Sequence, residues 1–473
     1  MSEQIPVKNV TPKAADNLYA RREKIYTKAF TGIFRNLRIA FTGFLFLLFL
    51  GTAWINYEGR QAVWWNLPER KFYIFGSTFW PQDFVLLAWV LIICAFGLFF
   101  ITVFAGRVWC GYACPQSIYT WIFMWCEKVT EGDRNQRMKL EKAPFSANKF
   151  FRISAKHVLW LTIAFVTGFT FLGYFIPIRE LAGDLISGTA GAAAYFWLAF
   201  FTVITYLNAG WMREQVCVYM CPYARFQSVM FDKDTLIVSY NEARGEGRGP
   251  RKRGSDYKAQ GLGDCIDCKM CVHVCPTGID IRDGLQIACI GCAACADACD
   301  SIMDKMGYER GLVGYTTEHN LAGNKTKLLR PRLIGYATAL IVMMCLLAWR
   351  VYERPLIEVS ILKDRTQYRE SVIGNIENVY TVKVINKDQH PHTYIIEVAG
   401  FEGITLSSDS VTMVDGKHVV DVKEGEIKEI PVAVSVEPEL ITQDATEIEF
   451  TVTSKDQPDI QKTSSSRFIG PVY

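Results

Sequence analysis

After Cys345 the chain has no cysteine at all, although its 473 residues contain 15. That absence removes a disulfide framework from the C-terminal part and confines thiol chemistry to the rest. Net charge is also scarce, at +3, too little to argue for a nucleic-acid partner. The first 36 residues are polar and basic and lack an apolar core followed by a small-residue cleavage site, so no cleaved signal peptide is expected. Charged residues are only moderately depleted, at 21%, while half of the residues are hydrophobic. That balance points to a membrane part joined to soluble parts.

Five apolar stretches reach the roughly 20 residues that crossing a bilayer requires. They are read as 37–55, 84–104, 158–177, 192–211 and 333–352. Lysine and arginine crowd the N-terminal tail (Lys8, Lys13, Arg21, Arg22, Lys24, Lys28, Arg35) and the segment between spans two and three, whereas the loop between spans three and four has only Arg179. The excess of cations on short cytoplasmic flanks then places the N-terminus inside and the segment after the fifth span outside. The implied location is a bacterial inner membrane, with the lipid bilayer as one partner. The first outside loop is aromatic, with Trp64, Trp65, Phe72, Tyr73, Phe75, Phe79 and Trp80. An interfacial belt is the plain reading, and a quinol-facing pocket the sharper one.

Between spans four and five the sequence runs Cys265-Ile-Asp-Cys268-Lys-Met-Cys271-Val-His-Val-Cys275-Pro276, and then Cys289-Ile-Gly-Cys292-Ala-Ala-Cys295-Ala-Asp-Ala-Cys299. Both are the C-x2-C-x2-C-x3-C run of bacterial two-cluster ferredoxins. A cubane needs four thiolates, and in such ferredoxins the fourth cysteine of each run serves the other cluster. That resemblance assigns Cys265, Cys268, Cys271 and Cys299 to cluster one and Cys289, Cys292, Cys295 and Cys275 to cluster two. Asp300 stands where the second run would carry a proline, which bears on the local turn and not on ligation. A zinc ribbon would use fewer thiols. His273 lies inside the first run, which already has enough ligands, and reads as a surface residue.

Two further pairs, Cys110-Gly-Tyr-Ala-Cys114-Pro115 and Cys217-Val-Tyr-Met-Cys221-Pro222, follow spans two and four and lie 107 residues apart at both cysteines. This is an internal repeat of two spans followed by C-x3-C-P. Cysteines four apart share a helix face, and the proline predicts a break at Cys114 and at Cys221 where a new helix starts. Amide donors at a helix start favour thiolate. Four such thiolates brought together would suit an iron–sulfur cluster, Cu(I) or Zn(II). Cys94, Cys126 and Cys345 have no partner spacing and read as small apolar packing residues.

Residues 244–263 are rich in glycine and charge and read as a flexible connector, with docking of an acidic redox donor as its sharper reading. From residue 356 on, short runs alternate apolar and polar positions between turn residues, which predicts an immunoglobulin-like β-sandwich. His390-Pro391-His392 there reads as a loop rather than a metal site.

The order of these parts, with the two C-x3-C-P elements and the paired ferredoxin runs, resembles the CcoG/FixG/RdxA family of cytochrome c oxidase accessory proteins over nearly the whole chain. The expected fold is a multi-domain membrane protein. It has a basic tail (1–36), a four-span α-helical region (37–231), an α+β two-cluster [4Fe–4S] ferredoxin-type domain with its linker (232–332), a fifth span (333–352) and an outer all-β domain (353–473). The resemblance implies maturation of a cbb3-type haem–copper oxidase and reduction of Cu(II) to Cu(I), which would make the protein a cupric reductase. Its partners would be a cytoplasmic electron donor, copper ions, a Cu(I) carrier and the oxidase or its assembly factors. The centre made by Cys110, Cys114, Cys217 and Cys221 would be catalytic and hold copper or a third cluster. A quinol-linked polyferredoxin conduit and a non-redox scaffold are the competing readings.

Overall fold

The computed structural model describes residues 24–365, 368–371, 374–388 and 390–472. Of the tail cations, Lys8, Lys13, Arg21 and Arg22 lie outside these. The chain forms two compact units: residues 67–83 join the C-terminal part from residue 348, and the rest forms the other.

In the first unit the helices are α1 (Ile33–Thr52), α2 (Phe84–Ala105), α3 (Val108–Tyr112), α4 (Pro115–Glu131), α5 (Arg134–Lys142), α6 (Ala147–Leu172), α7 (Ile178–Ser187), α8 (Ala192–Tyr206) and α9 (Pro222–Met230). Among the described residues five helices are long and apolar enough to cross a membrane: α1, α2, α6, α8 with its continuation to Met212, and Pro331–Tyr352. The third differs from its expected bounds. Ser146 caps it by accepting from the Lys149 N–H at 3.3 Å, so it begins eleven residues before position 158. Its first turns carry Lys149, Arg152 and Lys156, cations that a hydropathy window rejects but a helix end tolerates by snorkelling. It stops at Leu172 because a turn leads to Pro177, which starts α7. After α8 the chain widens into a π-helical turn, Leu207–Met212, a form that often marks functional positions.

The ferredoxin segment also belongs to the first unit. Strands Ile237–Tyr240 and Val313–Thr316 pair antiparallel, and the helix Ala294–Met306 packs against them. The expected flexible connector is instead tied down. Arg244 pairs with Asp264 at 2.5 Å, the Tyr257 hydroxyl donates to the same carboxylate at 2.7 Å, and Arg251 lies over the Tyr257 ring. Glycine at 247 and 263 permits this fold-back, since a Cβ on Gly263 would stand 2.0 Å from the Glu246 carbonyl oxygen.

The second unit is a two-sheet sandwich. One sheet orders Thr405–Ser407, Ile427–Val436, Ile376–Asn386 and Ile357–Lys363. The other orders Thr412–Val414, Lys417–Val422, His392–Ala399, Ala445–Ser454 and Gln461–Ile469. Alternate residues point inward, with Tyr380, Val382 and Ile430 facing Tyr394, Phe450 and Phe468 in one core. Residues 67–83 fold with this unit. Arg354 donates to the Thr78 carbonyl at 2.7 Å and pairs with Asp83 at 2.5 Å, and Lys387 lies 3.5 Å from Asp83.

The aromatic loop is not a simple lipid-facing belt. Trp80 is 1% exposed and Tyr73 is buried. Within the first unit Trp64 donates to the Phe175 carbonyl at 3.1 Å, and Trp65 packs edge-on to Phe175. Trp64 thus finds an acceptor for its N–H within the protein, and Trp65 and Trp80 find protein against their rings.

Candidate functional site

Two cavities hold the ferredoxin cysteines. One, of about 360 Å³, is walled by Cys265, Cys268, Cys271 and Cys299 together with Tyr240 and Arg282. The other, of about 340 Å³, gathers Cys275, Cys289, Cys292 and Cys295, with Cys271 at its edge. The grouping interlocks the two runs: each cavity takes its fourth cysteine from the other. The loops wrap because Asp267 and Lys269 in the first run, and Gly291 and Ala293 in the second, adopt left-handed conformations with φ between 52° and 63°. That conformation turns amide groups inward as an anion-binding concavity, and the Gly291 N–H donates to Cys289 Sγ at 3.4 Å.

Burial pushes the Cys271, Cys289 and Cys299 thiols up to about 12, and raises Cys275 and Cys295 as well. Buried thiolates are therefore costly unless a cation shares the cavity. Four thiols in each cavity, shared between two C-x2-C-x2-C-x3-C runs, are the donor set of [4Fe–4S] clusters. Beside the first cavity Arg282 pairs with Asp280 and Asp267, both at 2.6 Å, and these carboxylates hold the guanidinium in place.

The C-x3-C-P cysteines stand at the ends of the repeated spans. Cys110 lies in α3, and Cys114 is the N-cap of α4, with Pro115 as its first residue. Cys217 lies in a π-helical turn, Val216–Met220, and Cys221 is the N-cap of α9, with Pro222 first. Each new helix reaches across to the other repeat. Gln116 Nε2 donates to the carbonyls of Asn208 and Arg213 at 2.9 and 3.1 Å. Its counterpart Tyr223 bonds to Thr102 and donates to the Leu98 carbonyl at 3.2 Å. Buried Glu127 of α4 pairs with both Arg213 and Arg137.

These cross-ties bring the four thiols into one electrostatic neighbourhood. Burial pushes Cys217 up to about 12, and negative charge on Cys114, Cys110 and Cys221 adds to the shift. Cys110 is pushed up to about 11, chiefly by burial, against the pull of Arg107 and of Gln227, whose Oε1 accepts from the thiol at 3.5 Å. At Cys110 and Cys217, which lie one turn before the helix starts, desolvation dominates.

The segment that bears Cys110 and the second ferredoxin run meet through their backbones. A Cβ on Gly291 would lie 3.1 Å from the Arg107 backbone. Arg107, buried, donates to the carbonyls of Ile287, Cys289 and Ala224. Arg38 donates to the Cys292 carbonyl at 2.5 Å. Sequence reading missed Arg107, Arg38, Gln116 and Gln227. For Gln116 the 107-residue offset to Tyr223 was the available signal.

The remaining candidates separate cleanly. His273 is half-buried and its carbonyl accepts from the Lys28 N–H. His390 is exposed, while His392 is buried against Asp388 at 2.7 Å, as a paired core histidine. Cys126 is buried as expected, but Cys94 and Cys345 lie on exposed helix faces.

Residues 87–129 match the family model for a 4Fe-4S binding domain, 212–318 the 4Fe-4S dicluster domain, and 347–471 the Ig-like fold at the C-terminus of FixG. The chain is 36% identical to nitrogen fixation protein FixG of Rhizobium meliloti over 85% of its length and 84% of that protein. It is 35% identical to protein RdxA of Cereibacter sphaeroides over 85% and 87% of the two chains, and 38% identical to RdxB of the same organism over 83% and 85%. With its iron–sulfur segments, its five apolar helices and its C-terminal β-domain, the chain belongs to the FixG/RdxA family.

Proposed function

We propose that the protein is a membrane-bound electron carrier that reduces Cu(II) to Cu(I) at Cys110, Cys114, Cys217 and Cys221 for maturation of a cbb3-type oxidase. The observation that carries this reading is the backbone contact between α3, which bears Cys110, and the Cys289–Cys292 loop. A [4Fe–4S] cluster bound in each ferredoxin cavity supplies one-electron chemistry. The residues around it fix where that chemistry is delivered. Cys275, Cys289, Cys292 and Cys295 line the cavity nearer the membrane-edge thiols, and Cys265, Cys268, Cys271 and Cys299 the other. Arg107 ties the Cys289 loop to α9, and its charge favours thiolate at Cys110.

Copper enters as substrate. Each Cu(II) takes one electron, supplied by a cytoplasmic donor, and leaves as Cu(I), which soft thiolates favour. The N-terminal side with the ferredoxin segment is cytoplasmic and the sandwich periplasmic, supported by the distribution of lysine and arginine. The sandwich would dock the maturing oxidase. Burial of Trp80 and Tyr73 leaves less of that aromatic loop to face a quinol.

The test is anaerobic. Protein reduced by dithionite and freed of excess reductant is mixed with Cu(II) and a Cu(I)-specific chromophore. One Cu(I) per electron stored supports the reading. Reduced protein that stays reduced in Cu(II) but is oxidised by a quinone would replace it with the conduit.

A further inference from the structure

Beside the thiols lie two adjoining cavities that the electron path does not use. The inner one reaches Cys217 and is lined by Ser117, Thr120 and Arg213. The outer one is wider and is lined by Lys28, Arg35, Trp125 and Lys128. They share Arg38, Trp121, Met124 and Pro276 as common wall. Ser117, Thr120, Trp121, Met124, Trp125 and Lys128 recur at helical spacing along α4 and form one continuous face from the inner cavity to the outer mouth.

The charge in these cavities is one-sided. In the outer cavity Asp133 already accepts from the Ala29 N–H at 2.9 Å and caps α5, and Arg137 is paired with Glu127. In the inner cavity Arg213 is likewise paired with Glu127, leaving Glu214 as the carboxylate of the wall. Among the described residues no carboxylate pairs with Lys28, Arg35, Arg38 or Lys128. Arg38 is 5% exposed, and its Nε has no hydrogen-bond partner. The buried Ser117 Oγ has none either. Arg38 has the Cys292 carbonyl at 2.5 Å and the Tyr112 ring against its guanidinium but no carboxylate; its unmet Nε and the unmet Ser117 hydroxyl in the wall of a cavity are costly, and an anion bound there would meet both.

We propose that these cavities form an anion-binding path to Cys217, and that copper reaches the thiols as an anionic chelate of a small carboxylate-bearing molecule rather than as the hydrated cation. The copper half of this rests on the function proposed above. A cleft lined by one sign of charge concentrates the opposite sign and repels its own. A bare copper ion would have to pass Lys28, Arg35, Lys128 and Arg38, whereas a chelate with net negative charge is drawn in.

The test uses the full-length, cluster-loaded protein in phosphatidylcholine nanodiscs, kept anaerobic. Metal-free citrate binding is measured by calorimetry, independently of any electron transfer. Arg38→Gln should weaken it about tenfold or more, the loss of one charge-assisted contact. Lys128→Gln, at the exposed mouth and safe for folding, should weaken it about two- to fivefold. Reduced protein should then be oxidised faster by Cu(II)–citrate than by a cationic Cu(II)–imidazole complex, with the preference diminished in Lys128→Gln and by added salt. Equal rates with both complexes, unchanged in the variant, would overturn the path and leave copper reduction standing. Citrate binding that persists and weakens in the variants, while neither complex is reduced, would keep the anion site and sink the copper reading. Citrate binding abolished when phosphatidylglycerol replaces phosphatidylcholine would assign the cavity to a lipid headgroup and overturn the proposal.

Discussion

Gly111 and Cys292 meet through their backbones: a Cβ on Gly111 would stand 2.9 Å from the Cα of Cys292 and 3.0 Å from the Gly291 carbonyl oxygen. Glycine is required there by the neighbouring chain rather than by its own φ. Gly111→Val should push the second ferredoxin loop away from α3. The expected result is loss of about four of roughly eight irons, the content of one cubane, with the other cluster's EPR signal retained. Full iron content and two unchanged signals would show that the contact is slack.

The ligand sets make a complementary prediction. Cys265→Ala removes a wall of one cavity and Cys289→Ala a wall of the other. Each should impair a different cluster, read as two distinct changes in the reduced EPR spectrum. If both variants lose the same signal, the interlocked assignment is wrong.

Glu127 is 1% exposed and serves both Arg137 and Arg213. Removing it leaves two buried guanidinium groups short of a partner, the expensive way to break a buried ion pair. Glu127→Ala should cost about 3–5 kcal/mol, read as earlier unfolding in denaturant. An exposed pair such as Lys383–Glu429, with side chains 30% and 59% exposed, should cost about 1 kcal/mol or less when broken. Equal costs for the two would mean that the buried network is solvated.

Topology is open to a direct check. The lysine and arginine distribution predicts that the C-terminus lies outside, and Arg354 with Asp83 ties the loop before α2 to the sandwich, so both must share a side. A reporter fused after Tyr473 that works only outside the cytoplasm should be active. Activity of a cytoplasm-only reporter at that position would invert the orientation.

What the sequence made legible was local. The ferredoxin runs could be read because only two or three residues separate successive thiols within each short run, and the Cys-Pro breaks because proline dictates its own φ and restricts the residue before it. The α2 span, with no charge in 22 residues, matched its expected bounds within one residue. The start of α6 did not, because Lys149, Arg152 and Lys156 hide an amphipathic helix from a hydropathy count. Arg107, Arg38 and Gln227 were invisible for a related reason. A lone polar residue has no period, and its role comes from partners more than 100 positions away, as Arg107 with Cys289 and Cys110 with Gln227 show. Residues 244–263 looked loose by composition, yet the same glycines let the chain fold back on itself.

The sharpest expectation concerns whether the membrane-edge thiols act as one centre. Gln116 reaches from the first repeat to the end of the fourth span, Tyr223 from the second repeat to the end of the second, and Cys110 contacts Gln227 of the opposite repeat. Each half is thus held by the other, and Cys217 feels the charge of all three other thiols. Groups that act as a unit are non-additive. Cys110→Ser and Cys217→Ser should each abolish Cu(II) reduction, and the double variant should be no worse than either. The ferredoxin EPR signals should survive in all three, since neither cysteine walls the cavities around Cys265 and Cys289. Two partial defects that multiply in the double variant would mean two separate sites, and the electron path through Cys110 would have to be redrawn.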